Sequence, residues 1–354
     1  MKFMNKPRCW LSAVSMAILL AACGGSGGSG PAAGSSQATL LSTITTSSPA
    51  APPADASAAP APASACTTDC LAPGDYTLTL TWDALPRLYM VHVPASYTGS
   101  TSVPLLLDLH GGATLAEIQR STSGQLAQSD KRGFIAVWPQ GLDGSWNANG
   151  CCLLAYHLNV DDVGFLKAVI ATLKGRANIN ANKVYVTGLS NGGGMTHRMA
   201  CDAADVVTAV APMSNPLQIE QCHPSRPITV VTFAGTSDNQ VPYAGGIVNG
   251  VTLPINYPNV TIGFPLGWQG ARASLAAWKN IDGCSDALNL TPLAGGSTDE
   301  TYLSCNGGVK TGLVSISGGS HDLYNGDALH QIMFAHANYA VDVSEYVWEH
   351  VFTQ

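Results

Sequence analysis

Short apolar runs recur along the chain after residue 75, and their pattern predicts strands of two kinds. Residues 76–82 and 87–94 alternate apolar and polar side chains, which is typical of antiparallel strands with one face in solvent. Later runs are almost continuously apolar: 103–109, 133–139, 183–187, 206–212, 227–233 and 312–316. Such runs indicate parallel strands that are covered on both faces.

Segments of helical character lie between these runs, at 114–130, 161–170, 191–201, 270–280 and 341–352. Strands that alternate with helices predict an α/β fold with a doubly wound, mostly parallel sheet in a single domain. Residues 244–267 are rich in Gly, Pro and Asn and interrupt this pattern. They predict an inserted loop, which is a candidate lid.

The N-terminal part of the chain has a different composition. Residues 1–22 combine a basic start, an apolar stretch and a small-residue end, as in a signal peptide. Cys23 directly follows Leu-Ala-Ala, which resembles a bacterial lipobox, so we expect a lipid-anchored protein at the cell surface or outer membrane; full secretion is the alternative. Residues 23–65 are mostly Gly, Ser, Ala, Pro and Thr and predict a flexible tether, which leaves 66–354 for the folded domain.

Charge and composition narrow the range of partners. The formal net charge is −7 and charged residues make up 11% of the chain, against an average of about 25%. The sequence has no basic stripe, so we expect no nucleic-acid partner. We expect a monomer that contacts a membrane only through its N-terminal lipid.

Ten cysteines also point to an exported protein. Setting aside Cys9 in the signal peptide and Cys23 leaves an even number for disulfides. Proximity pairs Cys201 with Cys222, Cys284 with Cys305, and Cys66 with Cys70, whereas Cys151 and Cys152 form a vicinal bridge or each bond elsewhere. A zinc site is disfavoured because the Cys66–Cys70 pair has no second ligand pair at finger spacing, so we expect no metal.

The candidate chemistry starts at the turn between the strand at 183–187 and the helix at 191–201. Gly188-Leu189-Ser190-Asn191-Gly192 places a serine on a sharp strand-to-helix turn, where small neighbours let the backbone fold tightly and expose the serine oxygen. Residues 24–28 match the same Gly-x-Ser-x-Gly pattern, but they lie in low-complexity sequence with no strand before them. Ser190 is therefore the predicted nucleophile.

An acid and a histidine follow in the order that this kind of nucleophile requires. Asp238 comes shortly after the apolar run 227–233, and His321 comes after the run 312–316. Carboxyl ends of parallel strands meet at one edge of a sheet, so Ser190, Asp238 and His321 are predicted to form a catalytic triad. If each residue is considered alone, a turn-capping role is the better explanation for Asp238, and an ordinary loop position is the better explanation for His321.

An oxyanion hole requires two backbone N–H groups near the serine. Asn191 supplies one by its position directly after Ser190. His110-Gly111-Gly112 follows the buried run 103–109 and predicts the second donor at Gly112, with a plain glycine turn as the alternative.

These segments together resemble esterases of the polyhydroxybutyrate depolymerase family, a group that includes feruloyl and acetylxylan esterases. The resemblance covers residues 75–350 and is carried by segments 110–112, 138–146, 159–165, 188–195 and 235–243. It implies an α/β-hydrolase fold and a serine ester hydrolase with the triad given above. Ala234 and the segment 322–326 depart from the family pattern beside the substrate cleft, which leaves the substrate open.

The first hypothesis is therefore an exported serine carboxylic-ester hydrolase that works through an acyl-enzyme without metal or cofactor. Polyhydroxyalkanoate is the first expected substrate, and feruloyl or acetyl esters of plant polysaccharide are the second. Trp146 and Tyr243 are candidate substrate-binding aromatics, although core or rim positions explain them equally well. A non-catalytic surface-binding lipoprotein and an acyltransferase are the other hypotheses.

Overall fold

The computed structural model describes residues 66, 69–148, 153–218, 222–246, 251–252, 261–262, 269–285, 287–325 and 339–353. All of them belong to one compact unit, which spans Pro60–Gln354. The predicted signal peptide, Cys23, the tether, the Cys151–Cys152 pair and most of the candidate lid lie outside the described residues.

A sheet of ten strands forms the centre of the structure, and every strand predicted from the sequence is part of it. Its strands are β1 (Gly74–Trp82), β2 (Leu85–Val93), β3 (Val103–Leu109), β4 (Ile135–Pro139), β5 (Ile179–Leu189), β6 (Ala209–Met213), β7 (Thr229–Gly235), β10 (Leu288–Pro292), β11 (Thr298–Tyr302) and β12 (Thr311–Ile316). Two short strands, β8 (Val251–Thr252) and β9 (Thr261–Ile262), pair antiparallel within the predicted inserted loop.

The strand order is β1-β2-β4-β3-β5-β6-β7-β12-β11-β10. The six central strands are parallel to one another: β4, β3, β5, β6, β7 and β12. The two strands at each margin of the sheet pair antiparallel with their neighbours. The mostly parallel, doubly wound sheet predicted from the sequence is thereby confirmed. The carboxyl ends of β3, β5, β7 and β12 consequently lie along one edge, which is where open α/β sheets build their sites.

Helices cover both faces of this sheet. They are α1 (Ala116–Thr122), α2 (Gln125–Arg132), α3 (Leu153–His157), α4 (Asp162–Arg176), α5 (Asn191–Asp202), α6 (Ala271–Ile281) and α7 (Val343–Tyr346), which continues into a π-helical turn at Val347–Val351. Successive residues of β3 alternate between two cores: Leu105 and Leu107 face one, and Leu106 faces the other. Burial on both sides explains why this strand is apolar throughout.

Several elements differ from the sequence-based expectation. The predicted helix 114–130 is divided into α1 and α2 at Gly124, whose φ of 76° is in the left-handed region. The strands β10 and β11 were not predicted. The alternation in β10, Leu-Asn-Leu-Thr-Pro, covers only five residues that are all exposed, and β11, Thr-Asp-Glu-Thr-Tyr, has hardly any apolar residues. Among the described residues, no helix has both the length and the apolar character needed to cross a membrane.

Three disulfides lie within the described residues, and all three were predicted pairs. Cys201–Cys222 joins the end of α5 to the segment before β7, and Cys284–Cys305 joins the loops after α6 and β11. Cys66–Cys70 closes a short loop ahead of β1. These bridges fit a protein that folds in an oxidising compartment.

A buried carboxyl group lies at the heart of the sheet. Asp108, near the end of β3, accepts hydrogen bonds from Gln119 Nε2 at 2.7 Å and from Trp138 Nε1 at 2.9 Å. No salt bridge to Asp108 is present among the described residues, and burial raises the pKa of Asp108 from 3.8 to about 6. The protonated form is therefore favoured by folding.

We expect the stability of the protein to depend on pH through this group. Protonated Asp108 stabilises the fold below pH 3.8, and that contribution is lost as the pH rises to about 6. We compare the unfolding free energy of an Asp108→Asn variant with that of the wild type. The difference, variant minus wild type, should rise by about 3 kcal/mol from acidic to neutral pH, since one pKa unit corresponds to about 1.4 kcal/mol. Urea unfolding at several pH values measures this gain. The exposed residue Asp83 supplies the control, Asp83→Asn, and a difference that stays constant with pH would contradict the expectation.

Candidate active site

Ser190 lies on the tight turn between β5 and α5, as predicted, and is partly exposed. Its φ of 57° and ψ of −117° are unusual for a residue other than glycine. The turn is tied to the end of β6, because Ser190 N donates to Met213 O and Asn215 Nδ2 donates to Ser190 O, both at 2.9 Å. A Cβ atom on Gly192 would clash with the carbonyl oxygens of Leu109 and His110, so the second glycine of the motif is required sterically.

The Asp238 carboxylate is paired with the His321 ring. His321 Nδ1 lies 2.8 Å from Asp238 Oδ2, and the two side chains are 10% and 2% exposed. The other oxygen, Asp238 Oδ1, accepts hydrogen bonds from the backbone N–H groups of Gln240 at 2.9 Å and Val241 at 2.8 Å. A carboxylate held in this way keeps the proton on Nδ1 and leaves Nε2 of His321 free to act as a base.

The loops that carry the acid and the histidine are joined to one another. Thr236 N donates to Ile316 O at 3.0 Å, and Ser237 N donates to Gly319 O at 2.8 Å. Both loops follow paired parallel strands, because Gly235 at the end of β7 is in register with Ile316 at the end of β12. The Asp–His pair therefore lies along the same edge of the sheet as the turn that carries Ser190.

Tyr324 and Ser214 anchor the histidine loop, and the sequence analysis missed both. The Tyr324 hydroxyl accepts from Gly235 N at 2.7 Å, donates to Ser320 O at 2.9 Å and lies 2.6 Å from Ser214 Oγ. Tyr324 is fully buried in a backbone conformation with φ of 53°. No local pattern marks a tyrosine three residues after the histidine as an anchor, because two of its partners, Gly235 and Ser214, come from distant segments.

Asp322, next to His321, is turned away from the serine. Its Oδ2 accepts a hydrogen bond from the Tyr339 hydroxyl at 2.9 Å. Its backbone carbonyl accepts from Ser214 Oγ at 3.0 Å. Asp322 thus supports the loop, and Asp238 is the carboxylate that contacts the His321 ring.

The two predicted oxyanion donors lie side by side. A Cβ atom placed on Gly112 would be 3.5 Å from the Cβ of Asn191, and one placed on Gly111 would be 3.7 Å from the Cβ of Ser190. The glycine loop thus passes directly over the nucleophile turn. Both positions suit backbone N–H groups that converge on a carbonyl oxygen bound next to Ser190.

His110 fixes the orientation of one of these peptides. Its Nδ1–H donates to Gly111 O at 2.7 Å, and its Nε2 accepts from Gly141 N at 2.9 Å. Burial lowers the pKa of His110 to about 4, so the ring is neutral and has one donor and one acceptor, as these partners require. Gly111 O and Gly112 N–H belong to one planar trans peptide, so a hydrogen bond to the oxygen also sets the direction of the N–H.

The structure corrects the prediction for Trp146. The indole is completely buried, which leaves no surface for a substrate to contact. Its Nε1–H donates to His110 O at 2.9 Å, and the Asn191 side chain binds the Trp146 backbone through both its oxygen, at 2.7 Å, and its nitrogen, at 3.0 Å. Trp146 therefore joins the glycine loop, residues 110–112, to the first residue of α5.

A buried ion pair holds the segment that carries Trp146. Asp162 Oδ1 lies 2.6 Å from Arg87 Nη2, and both side chains are almost inaccessible. The second oxygen of Asp162 accepts a hydrogen bond from Asn147 N at 2.8 Å. Asp162, at the start of α4, thus holds the segment that contains Trp146 and Asn147.

Tyr243, the other predicted substrate-binding aromatic, is half-buried. Its hydroxyl lies 2.7 Å from Ser315 Oγ, and the ring packs near Ala271, Leu275 and Leu313. The hydroxyl is thus directed into the protein, and a substrate contact through the ring stays a prediction. Within the described part of the chain, no group of three or more His, Cys, Asp or Glu side chains has an arrangement that could hold a metal ion.

Comparison with known proteins gives relatives that are named as esterases. No family model matches the chain. Feruloyl esterase B of Piromyces equi is 33% identical over 248 residues, which is 66% of this chain and 42% of the relative. The bifunctional acetylxylan esterase/xylanase XynS20E of Neocallimastix patriciarum is 29% identical over 155 residues, or 43% of this chain and 22% of the relative. The chain thus spans less than half the length of these two curated relatives.

Among solved structures, an acetyl xylan esterase from Aspergillus awamori is similar with a TM-score of 0.50. The sequence identity is 14%, and the likeness covers 70% of this chain and 94% of that one. At a sequence identity this low, the likeness shows only that the fold is shared. Together with the strand order, it identifies the fold of this protein as that of the α/β-hydrolases.

We expect His110→Phe to impair turnover more than binding. Phenylalanine keeps an aromatic ring at this position, but the Gly111–Gly112 peptide loses the hydrogen bond that orients it. Loss of one oxyanion donor costs about 100-fold in kcat, so kcat for a p-nitrophenyl ester should fall by that order while KM changes little. His92→Phe, on β2 and remote from the site, is the matched control. An unaltered kcat in a folded His110→Phe protein would contradict the role given to His110.

Tyr324→Phe should also lower kcat, by about 10-fold, because imprecise placement of a general base weakens proton transfer. The variant removes only the hydroxyl that binds Gly235 N, Ser320 O and Ser214 Oγ. The same ester assay measures kcat, and circular dichroism checks the fold. Full activity would show that the loop holds His321 without this hydroxyl.

Proposed function

We propose that the protein is a serine carboxylic-ester hydrolase. The single observation that carries this proposal is the buried Asp238–His321 pair, with 2.8 Å between the carboxylate and Nδ1, at the same edge of the sheet as a serine on a turn with φ of 57°. In this proposal Ser190, which is partly exposed, is the nucleophile, and His321 is a base of defined tautomer. The esterase names of the relatives support the same chemistry.

In the proposed reaction, Ser190 Oγ attacks the ester carbonyl carbon while His321 Nε2 accepts the serine proton. The N–H groups of Gly112 and Asn191 bind the negative oxygen of the tetrahedral intermediate. Collapse of this intermediate breaks the bond to the alcohol, which leaves with the proton from His321. Water, activated by the same histidine, then cleaves the acyl-enzyme, releases the acid and restores Ser190.

As substrates we propose feruloyl or acetyl esters of plant polysaccharide. The feruloyl and acetylxylan esterase names of the relatives support this choice. The motif resemblance to polyhydroxybutyrate depolymerases favours polyester oligomers instead, so they form the second arm of the test.

We also propose export and lipid anchoring through Cys23, with a monomeric catalytic domain beyond the tether. The three disulfides support an oxidising compartment. Labelling of the protein by a fluorophosphonate probe distinguishes a catalytic serine from the alternative of a non-catalytic binding lipoprotein.

The test is hydrolysis by the purified protein of methyl ferulate, an acetylated xylo-oligosaccharide and hydroxybutyrate oligomers, with Ser190→Ala as the matched control. We expect release of ferulate or acetate, and loss of activity by about 10⁴-fold or more in the variant, since the triad acts as a unit. Release of hydroxybutyrate alone would assign the protein to polyester hydrolysis. Turnover that survives in a folded Ser190→Ala protein would overturn the proposed mechanism.

A further inference from the structure

Large apolar side chains are exposed at two main places among the described residues. One group lies on the strands at the β10 edge of the sheet and contains Leu288, Leu290 and Leu303. The other, which we term the apolar platform, consists of Leu115, Leu154, Tyr156 and Leu158, with exposures of 56%, 42%, 43% and 59%. Three of these four residues lie within residues 154–158, in α3 or directly after it.

The apolar platform adjoins the glycine loop at residues 110–112. Leu153, the first residue of α3, has its Cδ1 atom 3.4 Å from the position that a Cβ on Gly112 would occupy. Ala155 N, in the same helix, donates to Ser145 Oγ at 3.2 Å. On the other side, Ala113 N donates to Gly144 O at 2.8 Å, which joins the segment before Leu115 to the same turn. Helix α3 therefore stands next to the place where the ester carbonyl would bind.

The segment that carries three of the four platform residues is poor in charge. Residues 153–160, Leu-Leu-Ala-Tyr-His-Leu-Asn-Val, contain no Asp, Glu, Lys or Arg. The next two acids are used within the protein: Asp161 caps α4 and accepts from Trp82 Nε1, and Asp162 pairs with Arg87. Leu153 has a φ of 59°, which is uncommon for a residue other than glycine.

We propose that the apolar platform binds the acyl group of the ester and selects acyl groups larger than acetyl. This inference rests on the proposed function. In the proposed substrates the alcohol part is a sugar, rich in hydroxyl groups, so the acyl part is the portion that suits three leucines and a tyrosine ring. Apolar contacts of this kind discriminate between substrates by about 10- to 200-fold.

The test compares two esters with the same leaving group, p-nitrophenyl acetate and p-nitrophenyl 3-phenylpropionate. In a Leu154→Ser/Tyr156→Ser double variant, kcat/KM for the phenylpropionate relative to the acetate should fall by about 10-fold. The matched control is Leu288→Ser/Leu290→Ser, which alters two equally apolar and exposed residues at the β10 edge and should leave the ratio unchanged. The single variant Tyr156→Ser replaces the double variant if the latter does not fold.

The outcomes separate this inference from the proposed function. A platform variant that keeps the wild-type ratio, while Ser190→Ala abolishes hydrolysis of both esters, would overturn the platform alone. A fall of equal size in the β10 control would also overturn it, because the effect would not depend on the site. Absence of any Ser190-dependent hydrolysis would overturn the proposed function and this inference with it.

Discussion

The close approach of the start of α5 to the end of β3 is the constraint on which the site depends. Gly192 lies so near the carbonyl oxygens of Leu109 and His110 that no side chain fits there. The turn that carries Ser190, with its φ of 57°, and the glycine loop after β3 meet at this contact. The serine and the predicted oxyanion donors are thus held next to one another.

Buried hydrogen bonds then hold this arrangement from two sides. On one side, His110, Trp146 and Asn191 join the glycine loop to the first turn of α5. On the other, Ser214 and Tyr324 fasten the histidine loop to the ends of β6 and β7. Groups held by buried and mutually satisfied partners need little reorganisation during a reaction, which is what electrostatic stabilisation of an oxyanion requires.

The surface near the site complements this rigid centre. Leu153, at the start of α3, lies beside Gly112, and Leu154 and Tyr156 of the same helix are exposed, whereas Trp146, a candidate for the cleft from the sequence, is buried. An aromatic residue close to a catalytic motif can serve the ligand or the scaffold, and only its surroundings decide between the two.

The sequence by itself determined the layered α/β fold, the order Ser190–Asp238–His321 and the cysteine pairs 201–222 and 284–305, because apolar periodicity, turn chemistry and spacing are local properties. The tertiary structure alone decided that Trp146 is a scaffold residue, that Tyr324 anchors the histidine loop and that β10 and β11 extend the sheet. Each of these depends on partners far away in the chain or, for β10, on backbone pairing without burial. Contacts with distant partners leave no signal in the local sequence, and the short alternation in β10 marks no buried face.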